Sequence, residues 1–191
     1  MTEAASVASV GPTGPNVRRV RLHEWARVRD LRLEAVADPA AAIAFLTTSA
    51  EEAGRDEAFW RQRTAGAALG EDAAQFVADL GDRWVGTVTA LLREPGPRDH
   101  LDRVIVEARV DIVGVYVAPS HRGTGALAAL LDAAAQWALA QGVDALTLDV
   151  HVDNARAQAA YRKAGFAPTG VRFTSSIGPE IEMRRAPAVR P

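Results

Sequence analysis

The stretch Val115-Tyr116-Val117-Ala118-Pro119-Ser120-His121-Arg122-Gly123-Thr124-Gly125-Ala126-Leu127 carries most of the information about the fold. It begins as an apolar strand, turns through Gly123 and Gly125, and continues into residues with helical apolar spacing. Glycines in such a turn allow backbone angles that aim consecutive amide hydrogens into one concavity. The first turn of the following helix adds unpaired N–H groups and the positive end of its dipole. The stretch therefore predicts an anion-binding loop that would hold a diphosphate.

The same loop carries Arg122, which can add a charged contact to a phosphate oxygen. The alternative is that the two glycines only form a tight turn between a strand and a helix. Neither the GxxxxGK[ST] pattern nor the GxGxxG spacing with an acidic residue at the end of the next strand is present. Nucleoside triphosphates and nicotinamide dinucleotides are therefore disfavoured as ligands.

Apolar periodicity after the loop predicts alternating helices and strands. The run 104–117 has apolar residues on both faces, which is typical of a strand in the middle of a sheet. Strands that alternate with helices indicate a parallel pair within a mixed sheet. The other elements predicted in this half are a helix from 127 to 138 closed near Gly142, a strand over 145–150, a helix over 154–164 between Asn154 and Gly165, and a hairpin of 166–174 with 180–185.

The N-terminal half has weaker patterns of the same kind. Helical spacing over residues 24–36 stops at Pro39, and a second helix is predicted over 51–62. The remaining predictions are an edge strand over 17–22, a hairpin of 75–80 with 83–92, a charged loop over 93–102, a flexible tail over 1–16 and a short tail over 187–191.

Composition limits the class of protein. The 191 residues fit one domain, and the absence of cysteine excludes a disulfide scaffold, a thiolate zinc site and a cysteine nucleophile. A net charge of −2 disfavours nucleic acid as the main ligand. No secretory signal and no run long enough to cross a bilayer occur, which predicts a cytoplasmic protein without a membrane partner. No metal site is expected, because ligand spacing is missing from His23, His100, His121 and His151.

Two motifs together resemble the GNAT superfamily of acetyl-coenzyme A dependent N-acetyltransferases. Val115 to Val117, Pro119 and the loop 122–125 are similar to the family's central strand and pyrophosphate loop. The second motif is an asparagine that opens a helix, a tyrosine seven residues later, and a closing glycine-phenylalanine, and it comprises Asn154, Ala157, Ala160, Tyr161, Gly165 and Phe166. The chain departs from the family at Leu127, where glycine or alanine is usual.

The resemblance implies an α/β (mixed α+β) fold in a single domain over residues 17–186. Its central twisted mixed sheet would have about seven strands flanked by about four helices. The strands 112–117 and 145–150 would be parallel neighbours that splay apart, and acetyl-coenzyme A would lie in the notch between them. Backbone groups of Val115 and Val117 would pair with the pantetheine arm. The implied cofactor-binding residues are Val115, Tyr116, Val117, Arg122, Gly123, Thr124, Gly125, Ala126, Leu127, Asn154 and Tyr161.

Tyr161 lies two helical turns after Asn154, so both residues lie on one face of the predicted helix. The resemblance implies that the Tyr161 hydroxyl reaches the cofactor sulfur and donates a proton to the departing thiolate. Without the family pattern, Tyr161 is an ordinary core aromatic residue. Asn154 can serve as a plain N-cap and also touch the cofactor.

Several groups are candidates for the base that accepts the amine proton. Asp111 precedes the apolar run of the central strand, and strict alternation places it on the same face as Val113 and Val115. Asp149 lies in the second notch strand, where relatives that acetylate protein N-termini carry a glutamate. Glu107 is a weaker candidate, and a water relay without a dedicated base is the remaining possibility.

The reaction implied is direct transfer of acetyl to a primary amine of a small molecule, because no cysteine can carry an acyl-enzyme. The alternatives are acetylation of a protein N-terminus or lysine, and a non-catalytic acyl-coenzyme A sensor. A homodimer through the C-terminal hairpin is compatible with the fold. A cationic acceptor could be attracted by a group of helix carboxylates, or these could be a solvated face: Glu51, Glu52, Asp56 and Glu57.

Overall fold

The computed structural model describes residues 14–99 and 102–186. The predicted tails lie largely outside the described residues, at 1–13 and 187–191. The strands are β1 (Asn16–Arg19), β2 (Ala73–Asp79), β3 (Trp84–Arg93), β4 (Arg109–Val117), β5 (Leu146–His151), β6 (Ala167–Ser175) and β7 (Gly178–Arg185). In the described part they form one seven-stranded sheet in the order β1-β2-β3-β4-β5-β7-β6. Because β4 and β5 are parallel and the other pairs antiparallel, the predicted mixed sheet is confirmed.

The α-helices are α1 (Trp25–Val36), α2 (Ser49–Ala53), α3 (Glu57–Leu69), α4 (Ala126–Ala140) and α5 (Ala155–Lys163). Short 3₁₀ turns cover Leu22–Glu24, Ala41–Ile43 and Pro119–His121. The single helix predicted over 51–62 is wrong. The chain breaks after α2 at Gly54, and Asp56 starts α3 by accepting a hydrogen bond from the Phe59 amide at 2.8 Å. Among the described residues, no helix combines the length and apolar character that a membrane crossing requires.

The central strand is shorter than predicted, since β4 begins at Arg109 and not at residue 104. The preceding loop, residues 94–108, contains only an isolated bridge between Arg98 and Val104 in its described part. Arg103 pairs with Asp99 at 2.6 Å and with Asp149 at 3.1 Å. The loop therefore folds toward β5, and polar contacts of this kind leave no signal in local apolar periodicity.

The core lies between the sheet and the helices that pack on it. Helix α4 packs on β2 and β3, and α3 packs on β2. Trp60 is fully buried, as are Leu130 and Leu131 on the apolar face of α4. Burial of these large apolar side chains supplies the main driving force for the arrangement and holds the edges of β4 and β5 in fixed positions.

The strands β4 and β5 separate soon after they begin to pair. Their parallel ladder contains only Val110 with Leu146 and Asp111 with Thr147. Farther along, Gly114 has a φ of +61°, and the register of β4 against β3 shifts around it. The bulge redirects β4 away from β5, which produces the predicted notch.

Candidate active site

A cavity of about 380 Å³ occupies the notch. It is lined by β4 and the loop after it, by β5 and α5, by the segment 38–44, and by the turn into β7. The segment 38–44 follows α1 and is linked by side chains to the loop after β4 and to the start of α5. Arg122 pairs with Asp38, and the Asn154 amide approaches the Ile43 carbonyl at 3.5 Å. The cavity therefore extends from the glycine loop to β5, the second strand of the notch.

The glycine loop has the backbone geometry that the sequence predicts. Gly123 has a φ of +80° and Gly125 a φ of +92°, conformations that favour glycine. Apart from the adjacent residues, no atom in the described part of the chain lies within 4 Å of the position that a Cβ would take at either residue. Thr124 donates its hydroxyl hydrogen to the His121 carbonyl at 2.7 Å, and helix α4 begins at Ala126. The result is an open cradle at a helix N-terminus that can hold a phosphate group.

Arg122 already has partners on the protein. Its Nε donates to the Val117 carbonyl at 2.9 Å, and its Nη2 donates to Asp38. Burial raises the pKa of Asp38, but the Ala40 amide and the Arg122 guanidinium more than offset it and hold that pKa below its usual range. Arg122 thus ties the cradle to the segment 38–44. Two further cations, Arg156 and Lys163 of α5, line the same cavity.

Most of the residues assigned to the site from sequence do meet in this cavity. Its lining includes Val115, Tyr116, Val117, Arg122, Gly123, Gly125, Leu127, Asp149, Asn154 and Tyr161. Thr124, Ala126 and Asp111 are not part of the lining. Thr124 shapes the cradle through its hydrogen bond, and Ala126 is buried in the core.

Tyr161 lies on α5, whose N-cap is Asn154 as predicted. The Asn154 side chain accepts a hydrogen bond from the Ala157 amide at 3.1 Å. The Tyr161 ring is buried and packs on Phe166 with 6.0 Å between ring centroids. Burial raises the pKa of the Tyr161 hydroxyl above its ordinary value of 10. The phenol is therefore protonated throughout the neutral range and can act as a proton donor.

Tyr116 also lines the cavity, but its hydroxyl is engaged elsewhere. It donates a hydrogen bond to Glu34 of α1 at 3.0 Å. Burial and the neighbouring Glu34 carboxylate raise the pKa of Tyr116 to about 12. Tyr116 therefore anchors β4 to α1, while its ring forms part of the cavity wall.

Asp149 is a carboxylate of the cavity with an unusual environment. It lies opposite Glu182 in the β5–β7 register, and its Oδ2 accepts a hydrogen bond from Arg103 at 3.1 Å. Its Oδ1 is buried and has no hydrogen-bond partner among the described residues. Burial raises the pKa of Asp149 to about 6, and the Arg103 guanidinium only partly opposes that rise. A carboxyl group with this pKa is suited to accept a proton near neutral pH.

Asp111 is held away from the cavity by two arginines. Its carboxylate pairs with Arg93 at 3.1 Å and with Arg109 at 2.9 Å. The register shift at Gly114 also interrupts the strict alternation that placed Asp111 on the face of Val115. Glu107 is exposed and pairs with Arg184, so it does not approach the cavity lining either.

Glu180 is not singled out from the sequence, and His151 is considered there only as a metal ligand, yet both residues line the cavity. The His151 Nδ1 accepts a hydrogen bond from the Asp153 amide at 3.1 Å. The alternation of Glu180 and Glu182 with Ile181 and Met183 signals two polar side chains on one face of β7. What the alternation does not reveal is that this face adjoins Asp149.

Comparisons with known proteins agree with this geometry. The family model described as the acetyltransferase (GNAT) family matches residues 25–166. A comparison with curated proteins finds no match.

Solved structures share the fold over nearly the whole chain. A GNAT-family acetyltransferase from Streptococcus pneumoniae is 17% identical with a TM-score of 0.65, and the match covers 91% of this chain and 99% of that one. A phosphinothricin acetyltransferase from Sinorhizobium meliloti, in complex with AcCoA, is 17% identical with a TM-score of 0.66 and coverage of 94% and 93%. The PaiA N-acetyltransferase from Thermoplasma acidophilum, in complex with coenzyme A, is 15% identical with a TM-score of 0.59 and coverage of 90% and 98%.

Proposed function

The chain belongs to the GNAT family of acetyltransferases, and from this premise we propose that it transfers the acetyl group of acetyl-coenzyme A directly to a primary amine of a small molecule. The observation that carries the proposal is the single cavity lining that includes the glycine cradle, the Tyr161 phenol and the Asp149 carboxylate. These groups supply what the reaction needs: a phosphate site, an acid and a base.

The residues present fit coenzyme A in two respects. The cradle is open, with positive φ angles at Gly123 and Gly125, and it would hold the pyrophosphate with backbone amides. Cationic side chains from Arg122, Arg156 and Lys163 line the cavity and would face the remaining anionic groups. The Sinorhizobium meliloti enzyme, which shares the fold, was solved with AcCoA, and this supports the assignment.

Free backbone groups on β4 would orient the cofactor's amide arm. The ladder with β5 ends at Asp111, so the strand edge beyond it has no partner from β5. Val115 and Val117 line the cavity along this edge and would pair with the arm as an added strand does with a sheet. The thioester would then be held between Tyr161 and Asp149.

Bound acetyl-coenzyme A supplies the thioester, whose C–S bond breaks as the C–N bond to the amine forms. The Asp149 carboxylate accepts the proton that the amine loses. The Tyr161 hydroxyl donates its proton to the leaving sulfur, and the burial of the phenol keeps it protonated until then. Asp149 is the best supported of the three candidate carboxylates, because it lines the cavity and Asp111 and Glu107 do not.

The test is an assay for the free thiol of coenzyme A, with acetyl-coenzyme A and a panel of amines. The panel contains alkyl diamines, aminoglycosides, amino acids and lysine-containing peptides, and an amine-free reaction measures hydrolysis. We expect amine-dependent thiol release with at least one small amine. Release only with peptides would replace the small-molecule acceptor with a protein acceptor. Tight acetyl-coenzyme A binding without release for any amine would favour the sensor alternative.

A further inference from the structure

Glu180 is a buried carboxylate that the proposed reaction does not use. It lies in β7 directly opposite His151 of β5, is only 7% exposed, and lines the cavity. Within the described part of the chain, its side chain has no hydrogen bond and no ion pair. The Glu180 oxygens are not among the fully buried atoms without a partner in the described residues, so they open onto the cavity. A cationic group of a ligand in the cavity can therefore pair with this carboxylate.

The neighbouring carboxylates differ from Glu180 because arginines serve all of them. In the described part of the chain, three guanidiniums and four carboxylates form one ion-pair network: Arg93, Arg103, Arg109, Asp99, Asp111, Asp149 and Glu182. Arg103 is fixed further by stacking on Phe173 at 4.5 Å. Among these seven described residues the negative charges outnumber the positive ones, and none of the three arginines forms an ion pair with Glu180. His151 uses its Nδ1 to accept a hydrogen bond from the Asp153 amide, and within the described residues no hydrogen bond or ion pair joins it to Glu180.

The carboxylates on and beside α2 and α3 do not offer a contact to a cationic acceptor in the cavity. None of Glu51, Glu52, Asp56 and Glu57 belongs to the cavity lining. Glu52 is bound to Arg32 and Thr47, and Asp56 caps α3. Asp38 also lines the cavity, but it is paired with Arg122, so the acidic contacts left for an acceptor come from β5 and β7.

Three carboxylates line the cavity, and one of them, Asp38, is paired with Arg122. The sheet register sets the separation of the other two, Asp149 and Glu180. Asp149 lies opposite Glu182, and Glu180 is two residues from Glu182 along β7, so Asp149 and Glu180 are diagonal neighbours. Diagonal neighbours in an antiparallel pair are about 7–8 Å apart. Apolar side chains of Ile112 and Ile177 line the same cavity. This arrangement suits a short alkyl chain with a nitrogen at each end.

We propose that Glu180 binds a second ammonium group of the acceptor, and that the acceptor is an alkyl diamine without a carboxylate. The inference rests on the proposed function, since it assigns the reacting amine to Asp149. Glu180 is a binding residue in this scheme and takes no proton. A zwitterionic acceptor would bring its own carboxylate toward Glu180 and be repelled.

Three acceptors with four carbon atoms each test the proposal on the unaltered protein: 1,4-diaminobutane, butylamine and 4-aminobutanoate. They share one primary amine and differ in whether the far end is cationic, neutral or anionic. We expect kcat/KM for the diamine to exceed that for butylamine by roughly 10- to 100-fold, the range for a hydrogen bond to a charged group. The value for 4-aminobutanoate should be lower still. Equal values for the three acceptors would overturn the proposal and leave the proposed function standing.

Glu180→Gln keeps the shape of the side chain and removes its charge. The preference for the diamine over butylamine should fall by roughly 10- to 100-fold, mainly through KM for the diamine. Glu71→Gln is the matched control, since Glu71 is exposed and outside the cavity lining, and it should retain the preference. An unchanged preference in folded Glu180→Gln would overturn the proposal. If that variant fails to fold, the ranking of the three acceptors on the unaltered protein still decides.

Calorimetry separates this inference from the proposed function. The protein is saturated with coenzyme A and titrated with 1,4-diaminobutane, then with 4-aminobutanoate. Diamine binding that is lost in Glu180→Gln, without acetyl transfer to any amine, would support Glu180 as a cation site and overturn the transfer reaction. Acetyl transfer to other amines, without measurable diamine binding, would support the transfer reaction and overturn Glu180 as a cation site.

Discussion

Tyr161 and Tyr116 are the only tyrosines in the chain, and their hydroxyl groups have different surroundings. Tyr161→Phe keeps the ring on Phe166 and removes the proposed acid, so kcat should fall roughly 10²- to 10⁴-fold, with little change in acetyl-coenzyme A affinity. Tyr116→Phe loses only the bond to Glu34 and serves as the control. Steady-state kinetics and calorimetry measure the two effects. Unchanged turnover in Tyr161→Phe would show that Tyr161 is a packing residue.

The raised pKa of Asp149 determines the pH dependence expected for kcat/KM. Because burial raises its pKa to about 6, kcat/KM should fall as the pH drops through 6 and the carboxylate becomes protonated. Asp149→Asn should remove this acidic limb and lower kcat/KM roughly 10²- to 10⁴-fold. Asp111→Asn tests Asp111 as the base. In this variant kcat/KM should still fall as the pH drops through 6. Loss of the limb in Asp111→Asn alone would assign the base to Asp111.

The same pKa also affects stability. The folded value of Asp149, about 6, lies above the ordinary value of 3.8, so the folded state prefers the protonated form. The stabilising contribution of this group is complete below pH 4 and is lost as the pH rises through 6. Ionised Asp149 thus weakens the fold at the pH where the proposed chemistry needs it, and Arg103 limits that loss.

At the level of secondary structure, the glycine cradle depends on its backbone conformation. Its amides can point at a phosphate group only with the positive φ angles that Gly123 and Gly125 adopt. Gly125→Ala places a Cβ at a φ of +92° in open space, so about 1–2 kcal/mol of backbone strain is expected without a clash. Coenzyme A affinity should fall as well. Gly142→Ala is the matched control, with a φ of +76°, equally open surroundings and a place outside the cavity lining.

Chemical denaturation and calorimetry give the two readouts for the glycine variants. Both variants should lose similar stability, but only Gly125→Ala should lose coenzyme A affinity. Equal affinity in the two variants would reduce the cradle to a simple turn.

Cofactor binding should stabilise the molecule as a whole, because a ligand that binds only the native state adds free energy by mass action. At a concentration 100 times its Kd, acetyl-coenzyme A should contribute about 2.7 kcal/mol. For a chain of this size, that corresponds to a rise of roughly 5–10 °C in Tm. Thermal unfolding with acetyl-coenzyme A, ATP and NAD at equal concentrations measures it. Equal shifts with all three would argue against specific coenzyme A binding.

Several features of the whole molecule follow from local sequence. Apolar runs predict β4 and β5, the Asn154 N-cap predicts the start of α5, and the glycine loop predicts the cradle at the start of α4. Such signals are short-range: a cap, a turn and a periodicity each involve residues within a few positions of one another. The break between α2 and α3 was missed although its signal is local, an Asp56 cap that follows Gly54.

Local backbone preferences and periodicity specify the strand–loop–helix unit, the position of Tyr161 on α5 and the order of elements apart from the break between α2 and α3. They do not specify which carboxylates face the cavity, because that depends on how distant segments pack. Asp111 is turned to Arg93 and Arg109, whereas Asp149 and Glu180 meet across β5 and β7. The reason is that strand register and long-range ion pairs are set by packing between segments far apart in the chain, where a shift of one residue moves every side chain to the other face.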